Sequence, residues 1–554
     1  MNPAKTVKNW IWQMIRPYVG RIVLLSLCSS LIAVCTVSFA LVSRWLIDCA
    51  VGDAEGGLLQ PALALTGLLA FRITLNVIQV QLNHWLSGKM EMRIKQHVFS
   101  TLFRKQYGDI KKYHSGELMN RMNSDSHVVV NGLVGLLPQL LSMATSIAAC
   151  LYVIWRLLDW RIVLAVCAFG AVMLVASRFY GKKMKKIHKE CQATNDRASA
   201  FAQENFSHWM MIKSFGGVPM MGARFDRLMD KNFAAKMRRS RWSNLSHSVL
   251  FLLFNGSYYI ALLWGAFQLT MGMTYGTLTA LLQIISQIRT PFMNMSGILP
   301  QYYNMLASAE RVMELEDLPD EPMQDTLHDA TDLYARLDSL CAEGISFAYD
   351  VDTPVLADAD LTVKKGEFVA LAGYSGIGKT TLFRLMLGFH TPHTGSLTAR
   401  LTDGVMPLGA DTRCLFAYVP QENMLLSGTI RENIAFCCGA VTDEAVWAAA
   451  EVADVADAIR QQPAGLDTVL GESGSGLSEG QIQRLAIARA VLSGAPVLLL
   501  DECTASLDEA TEERVLQRLR ALPNRTCLCI SHRPAALAVC DRVVRIEDGK
   551  FIDE

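Results

Sequence analysis

Charge is scarce in this chain. Asp, Glu, Lys and Arg make up only 19% of its 554 residues, while hydrophobic residues make up 51% and mean hydropathy is +0.23. Such a composition excludes a disordered chain and is too apolar for an ordinary soluble enzyme, so a membrane-embedded portion is expected. Paired cysteine is also missing. None of the fourteen cysteines forms a CxxC pair, and Cys28, Cys35, Cys150, Cys167, Cys527 and Cys529 sit in apolar or strand-like runs where a thiol acts as a small hydrophobe, which argues against metal or disulfide chemistry. Net charge is zero, but it divides unevenly at Asp320: 33 basic and 18 acidic side chains lie up to that point, 19 and 34 beyond it. The acidic second half argues against nucleic-acid binding, which needs a clustered basic face.

What the first half does have is long apolar runs. A membrane helix takes about 20 mainly apolar residues, and runs of that kind occur at Ile22 to Ser43, Leu58 to Ser87, Val128 to Trp155 and Ile162 to Gly181. The uncharged stretch Trp242 to Ile288 is long enough for two and divides at Thr270 to Gly276, where glycines and polar residues supply a turn. The first run is too long for a signal-peptide core and no small-residue cleavage site follows it, so it is read as a retained span. Six spans put both termini on one side, and Lys and Arg decide which. Residues 45 to 71 contain neither, whereas residues 89 to 121 carry eight and residues 182 to 241 carry fourteen. The two basic segments and both termini are therefore cytoplasmic. Few Gly or Pro interrupt those segments, so they extend the membrane helices into the cytoplasm.

This layout resembles an ABC exporter half-transporter. His114-Ser115-Gly116-Glu117-Leu118-Met119-Asn120-Arg121 is similar to that family's first intracellular loop and Ile212-Lys213-Ser214-Phe215 to its second, which implies coupling helices near Gly116 and Ile212. Residues 1–316 are then the transmembrane domain. An acidic, proline-containing stretch, residues 317–336, reads as a linker. Residues 337–554 change to short β-rich runs alternating with helical ones, as in an α/β domain with a mostly parallel sheet. The fold class is a multidomain membrane protein, an all-α six-helix domain followed by an α/β P-loop NTPase domain.

The chemistry lies in the second half. Glu367 to Ala372 reads as a buried strand running into Gly373-Tyr374-Ser375-Gly376-Ile377-Gly378-Lys379-Thr380-Thr381, a P-loop. Its glycines let backbone N–H groups turn around phosphates, Lys379 neutralises the β and γ oxygens, and Thr380 can ligate Mg²⁺. A second buried strand, Val497 to Leu500, ends in Asp501-Glu502, where the first carboxylate can hold Mg²⁺ and the second can polarise an attacking water. About 20 residues earlier, Leu477-Ser478-Glu479-Gly480-Gln481 closely resembles the ABC signature, with Glu479 in place of the usual glycine. The resemblance implies further roles. Tyr349 would stack on adenine, Gln421 would sense Mg²⁺, Ala505 to Asp508 would form the D-loop, His532 would contact the γ-phosphate, and Ser478 and Gly480 would contact phosphate directly. Glu479 would place a carboxylate near that phosphate unless it points away.

The implied activity is ATP-driven export by a dimer. In that family a site forms between the P-loop of one nucleotide-binding domain and the signature of another. The cofactors are ATP and Mg²⁺, and the partner is a second half-transporter; a homodimer is favoured and a heterodimer remains open. An importer on the same fold and an ATP-gated channel or regulatory subunit are the alternatives. The expected location is the bacterial cytoplasmic membrane, multi-pass, with the nucleotide-binding domain cytoplasmic. The cargo is open among peptides, lipids, drugs and siderophores. One polar stripe points to its path: Arg72, Asn76, Gln79 and Asn83, spaced four, three and four along span two, share one helical face. Gln283, Gln287 and Asn294 form a similar stripe on span six. Arg72 lies at a costly depth unless it faces protein or water, and the structural alternatives to a role in attracting an anionic cargo are snorkelling to the outer interface and pairing with a carboxylate such as Asp48.

Overall fold

The computed structural model describes residues 3–158, 160–322, 329–349, 353–374, 376–421, 424–436, 438–471 and 476–553; the side chains of residues 3–6, 162, 165, 169, 171–182, 185, 247, 250, 293, 295, 296 and 299 fall outside that description. The chain forms two compact units, one of Met1–Thr101 with Ser115–Asp317, the other of Leu102–His114 with Leu318–Glu554.

The first unit is helical. A short α1 (Pro3–Ile15) precedes α2 (Val19–Val51) and α3 (Leu59–Leu102). Then come α5 (Ser115–Asn120), α6 (Ser126–Leu157), α7 (Trp160–Ser207), α8 (Trp209–Ser214), α9 (Val218–Leu269) and α10 (Tyr275–Glu316). The lengths follow from the sequence: apolar runs pass without a helix breaker into Lys/Arg/Met/Glu-rich segments, so α7 and α9 reach 48 and 52 residues. Four helical stretches among the described residues are long and apolar enough to cross a membrane, Val7–Val51, Leu59–Leu102, Ser115–Leu157 and Val218–Leu269. The expected fourth span lies in α7, partly on residues outside the description, and the sixth lies in α10, where Gln283, Gln287, Arg289 and Asn294 interrupt the apolar run along with Pro291 and Pro300. The turn expected at Thr270 to Gly276 separates α9 from α10, with Thr274 Oγ1 accepting from Thr277 N as the helix cap.

Helices α2, α6 and α10 pack around Val37, Ala40, Cys150, Ile154 and Ile284. At the end of α2, the carboxylate of Asp48, 6% exposed, accepts from Gly276 N at 2.9 Å and from Arg44 Nε at 3.3 Å. Asp48 is thus engaged by its own helix and by α10, and the alternative in which it pairs with Arg72 does not hold. A Cβ on Gly276 would lie 2.4 Å from both Arg44 O and Asp48 Oδ1. Gly276→Ala is therefore expected to force the helices apart at a cost of about 2 kcal/mol, read as a lowered midpoint of thermal unfolding in detergent. An unchanged midpoint would show that the contact relaxes freely.

The second unit carries a short antiparallel pair, β7 (Gly428–Thr429) with β8 (Val469–Leu470), and two larger sheets. One is antiparallel, in the order β2 (Pro354–Lys364), β1 (Leu337–Ala348), β4 (Thr394–Leu401), β5 (Gly404–Pro407). The other has the order β12 (Lys550–Asp553), β11 (Arg542–Glu547), β3 (Phe368–Ala372), β10 (Thr526–Ile530), β9 (Val497–Asp501), β6 (Phe416–Val419), parallel except at β12. Strands β3, β9 and β10 are buried at every position, as their unbroken apolar runs require in a sheet covered on both faces. The covering helices include α12 (Lys379–Met386), α13 (Ile430–Ile434), α14 (Asp443–Val452), α15 (Ala456–Arg460), α16 (Glu479–Leu492), α17 (Glu509–Arg520) and α18 (Pro534–Val539).

Two features of this unit differ from the expectation. The stretch read as a linker contains α11 (Ala330–Arg336), capped by Asp329, and its Leu333 and Tyr334 are buried in the core beneath β1. Residues 323–328 lie outside the described residues. The unit also takes in Leu102–His114 with its short helix α4 (Tyr107–Ile110), where Gln106 N donates to Pro319 O and Lys105 Nζ pairs with Asp320. The first loop therefore meets this unit at Tyr107 to Ile110, several residues before Gly116. Gly116 and Ile212 both belong to the other unit.

Candidate active site

The centre of the site is set by where β3 and β9 end. Strand β3 opens into the P-loop, and Gly378, at φ +116°, closes it against β2 so tightly that a Cβ would lie 2.7 Å from Val355 Cγ1. Only glycine fits that turn. It delivers Lys379 at the first position of α12. The Lys379 ammonium donates to Gly373 O and to Tyr374 O, the latter at 3.1 Å, and lies 2.9 Å from His532 Nε2. Burial pushes its pKa down, opposed by the charges of Glu502 and Asp501.

Strand β9 runs beside β10 and delivers Asp501, 1% exposed, whose carboxylate accepts from Thr380 Oγ1 and from Tyr418 OH, both at 3.1 Å. Burial pushes the Asp501 pKa up, and these two donors partly offset the rise. Glu502 follows at φ +47°, a left-handed backbone conformation uncommon for this residue type, with its N–H donating to Ile530 O. Its Oε2 accepts from Gln421 Nε2 at 2.8 Å, and its Oε1 is 3.9 Å from His532 Nε2. Lys379, Thr380, Gln421, Asp501, Glu502 and His532, drawn from four separate chain segments, thus form one polar cluster. Ser375 lies outside the described residues, Gly373 and Gly376 hold positive φ in the loop, and Thr381 is buried with its Oγ1 3.2 Å from Tyr349 OH.

Tyr349 is half-exposed, its ring edge-on to His390 at 5.4 Å. His390 also meets Tyr107 of α4, and Gly108 approaches so closely that a Cβ would lie 3.1 Å from its Nδ1. The aromatic proposed for adenine is therefore one ring away from the first loop.

The signature is built as a helix start. Ser478 caps α16 in a reciprocal box, its N–H donating to Gln481 Oε1 at 2.9 Å and its Oγ accepting from Gln481 N. A Cβ on Gly480 would lie 3.1 Å from Ser506 O, so glycine lets the signature close on the D-loop. Glu479 is exposed in the first turn, where the helix dipole favours a carboxylate. Asp508 caps α17 by accepting from Thr511 N, which holds its carboxyl below the usual range. Among the described residues, the hydrogen bonds of Ser478 and Gln481 join each other rather than the cluster around Lys379.

Sequence reasoning did not single out Tyr418, the second donor to Asp501, although it stands three residues before Gln421. It also passed over Arg533, which donates to Thr504 O and Leu507 O and pairs with the fully buried Glu512, fixing the D-loop beside His532. The arginine directly after the histidine was the available signal. In the membrane unit the polar stripes are partly packing contacts. Gln79 Nε2 donates to Ser29 Oγ, and Gln287 Nε2 to Thr36 O. Gln283 and Gln287 each keep a buried Oε1 without a hydrogen-bond partner. Arg72, Asn76 and Asn294 are exposed, Asn83 is half-buried, and Arg289 lies over Phe251.

Residues 22–292 match the ABC transporter transmembrane region and residues 356–505 the ABC transporter family. An ATP-dependent lipid A-core flippase of Chromobacterium violaceum is 30% identical over 498 residues, 89% of this chain and 84% of that protein. One of Yersinia pestis is 27% identical over 563 residues, 99% and 95% of the two chains. A bacterial Atm1-family ABC exporter solved with ATP bound has the same fold, with a TM-score of 0.80 at 23% identity, covering 97% of this chain and 94% of that one. The chain therefore belongs to the ABC transporter family as an exporter-type half-transporter, an integral protein of the bacterial cytoplasmic membrane that couples ATP hydrolysis to export.

Proposed function

We propose that two copies of this chain form a homodimer that binds MgATP between the Lys379 cluster of one copy and the Ser478 to Gln481 helix start of the other. The observation that carries this reading is the polar cluster of Lys379, Thr380, Gln421, Asp501, Glu502 and His532, with no member degenerate. Positive backbone ends of α12 and α16 suit phosphate oxygens on two sides. Lys379 neutralises the β and γ oxygens. Glu502, held by Gln421 and by its strained backbone, aligns and deprotonates the attacking water, and His532 faces the γ-phosphate from beside Lys379. Thr380, Asp501 and Gln421 supply a hydroxyl, a carboxylate and an amide, the hard oxygen donors that suit Mg²⁺, which spreads the developing phosphate charge when bound. Tyr349 offers its ring to adenine.

The cargo is an amphiphile with an anionic headgroup. The similar proteins that carry the name lipid A-core flippase support a lipid, and the polar face of α3 supports an anion. Arg72 is exposed, shares its helix face with Asn76, Gln79 and Asn83, and does not pair with Asp48. A cation at that depth is stable facing a water-lined path. In liposomes of anionic lipid, Arg72→Gln is expected to abolish stimulation of ATPase activity by the anionic amphiphile while leaving basal activity and the melting midpoint unchanged. Undiminished stimulation would remove Arg72 from the path, and a collapsed melting midpoint would make it a packing residue.

A further inference from the structure

The hairpin formed by α7 and α9 contains a cavity of about 480 Å³ that the ATP cycle does not use. Arg197 and Glu204 enter it from α7, Arg224, Arg227 and Lys231 from α9, and the half-buried ring of Phe201 forms part of its wall. Four cations thus meet around a single carboxylate. Nearer the membrane on the same hairpin, Arg238 pairs with Glu190 at 3.0 Å. Around the cavity, Arg224 instead lies over Phe201, 5.5 Å from the ring centre, and Phe201 stacks on Phe225 with the rings 15° from parallel. The four cations are exposed and line one opening between two packed helices, and an anion bound among them relieves their mutual repulsion.

Topology does not need these charges, although Arg197 and Arg224, Arg227 and Lys231 all lie within twenty residues of Gly181 or Trp242, because cations nearer the membrane already serve it. Positive residues that orient a span act within roughly 15–20 residues of its end, and that role is filled by Lys182, Lys183, Lys185, Lys186 and Lys189 after the apolar run, with Lys236, Arg238, Arg239 and Arg241 opposite. Arg197 lies sixteen residues past Gly181, roughly 24 Å along the helix at 1.5 Å per residue. At that distance a lipid headgroup is out of reach and the anion must come from the cytoplasm.

We propose that this cavity binds a soluble phosphorylated small molecule, with the phosphate between Arg197 on one helix and Arg224 and Arg227 on the other and a ring or apolar edge against Phe201. The volume suits a ligand of metabolite size, and arginine forks suit phosphate oxygens. Such a ligand ties the two stems that carry α8 between them, so its binding is placed to change how the hairpin moves.

Full-length protein carrying Lys379→Ala, which disables phosphate binding at the P-loop, would be titrated calorimetrically in detergent with inorganic pyrophosphate and with phenyl phosphate. One saturable site per chain is expected for each. Arg197→Gln with Arg227→Gln should weaken both at least tenfold, whereas Lys189→Gln with Arg238→Gln, the same loss of charge outside the cavity, should change neither by more than twofold. Phe201→Leu should weaken phenyl phosphate and spare pyrophosphate. Equal losses in the two double variants would reduce the effect to general electrostatics and overturn the proposal. So would competition by phosphatidylglycerol nanodiscs, which would make the ligand a lipid, and so would the absence of saturable binding, as expected if a second copy or an acidic protein segment fills the cavity.

Discussion

Glu502→Gln is expected to leave ATP binding intact and to lower the ATPase rate by about 10²- to 10⁴-fold, the usual contribution of a positioned general base. The substitution keeps the side chain's size and its contact with Gln421 but removes the only group in the cluster placed to accept a proton from water. Asp501 cannot substitute, because its carboxylate is buried and engaged by Thr380 and Tyr418. Binding should survive because Lys379, Thr380 and the loop backbone are untouched. The check is single-site ATP affinity alongside turnover in the purified dimer; a rate within twofold of wild type would remove Glu502 from the base role.

Lys379→Ala should instead weaken binding itself. The ammonium is buried and is satisfied in the loop by Gly373 O, Tyr374 O and the His532 ring. Its charge is thus already desolvated where phosphate arrives, and a charge-assisted hydrogen bond made under those conditions contributes about 1.5–3 kcal/mol. That corresponds to a loss of roughly 10- to 100-fold in ATP affinity, with hydrolysis falling further. Equilibrium binding of a non-hydrolysable nucleotide measures it, and an affinity equal to wild type would place the phosphates elsewhere.

The two variants fail differently because the site joins segments that are far apart in sequence, and this also explains what the sequence alone could show. The P-loop and the signature were legible because their geometry is local: a strand, a glycine turn and a helix start are consecutive residues. The contacts of Tyr418 with Asp501 and of Gln421 with Glu502 depend on β6 lying beside β9, a pairing that no local spacing encodes. The misread linker has the same cause. Acidic residues and prolines around it suggest an extended chain, and two large apolar side chains in seven residues, Leu333 and Tyr334, are too few to reveal a buried helix face. The excursion of Leu102–His114 into the second unit was equally hidden, since composition shifts mark a boundary only where a domain is continuous. In the membrane unit, hydropathy located the spans but could not distinguish polar residues that bond a neighbouring helix, such as Gln79 and Gln287, from exposed ones such as Arg72.

The claim that each ATP site is completed by a second copy is tested most directly by mixing two inactive variants. Lys379→Ala disables the P-loop side, and Gly480→Val disables the signature side by placing bulk against Ser506 O. In a mixed dimer both lesions fall on one site and the other site is intact, whereas a site contained within one chain would always carry a lesion. ATPase activity of the co-expressed, doubly purified mixed dimer is predicted to exceed that of either variant alone by at least tenfold; activity no higher than the mean of the two variants would contradict the account.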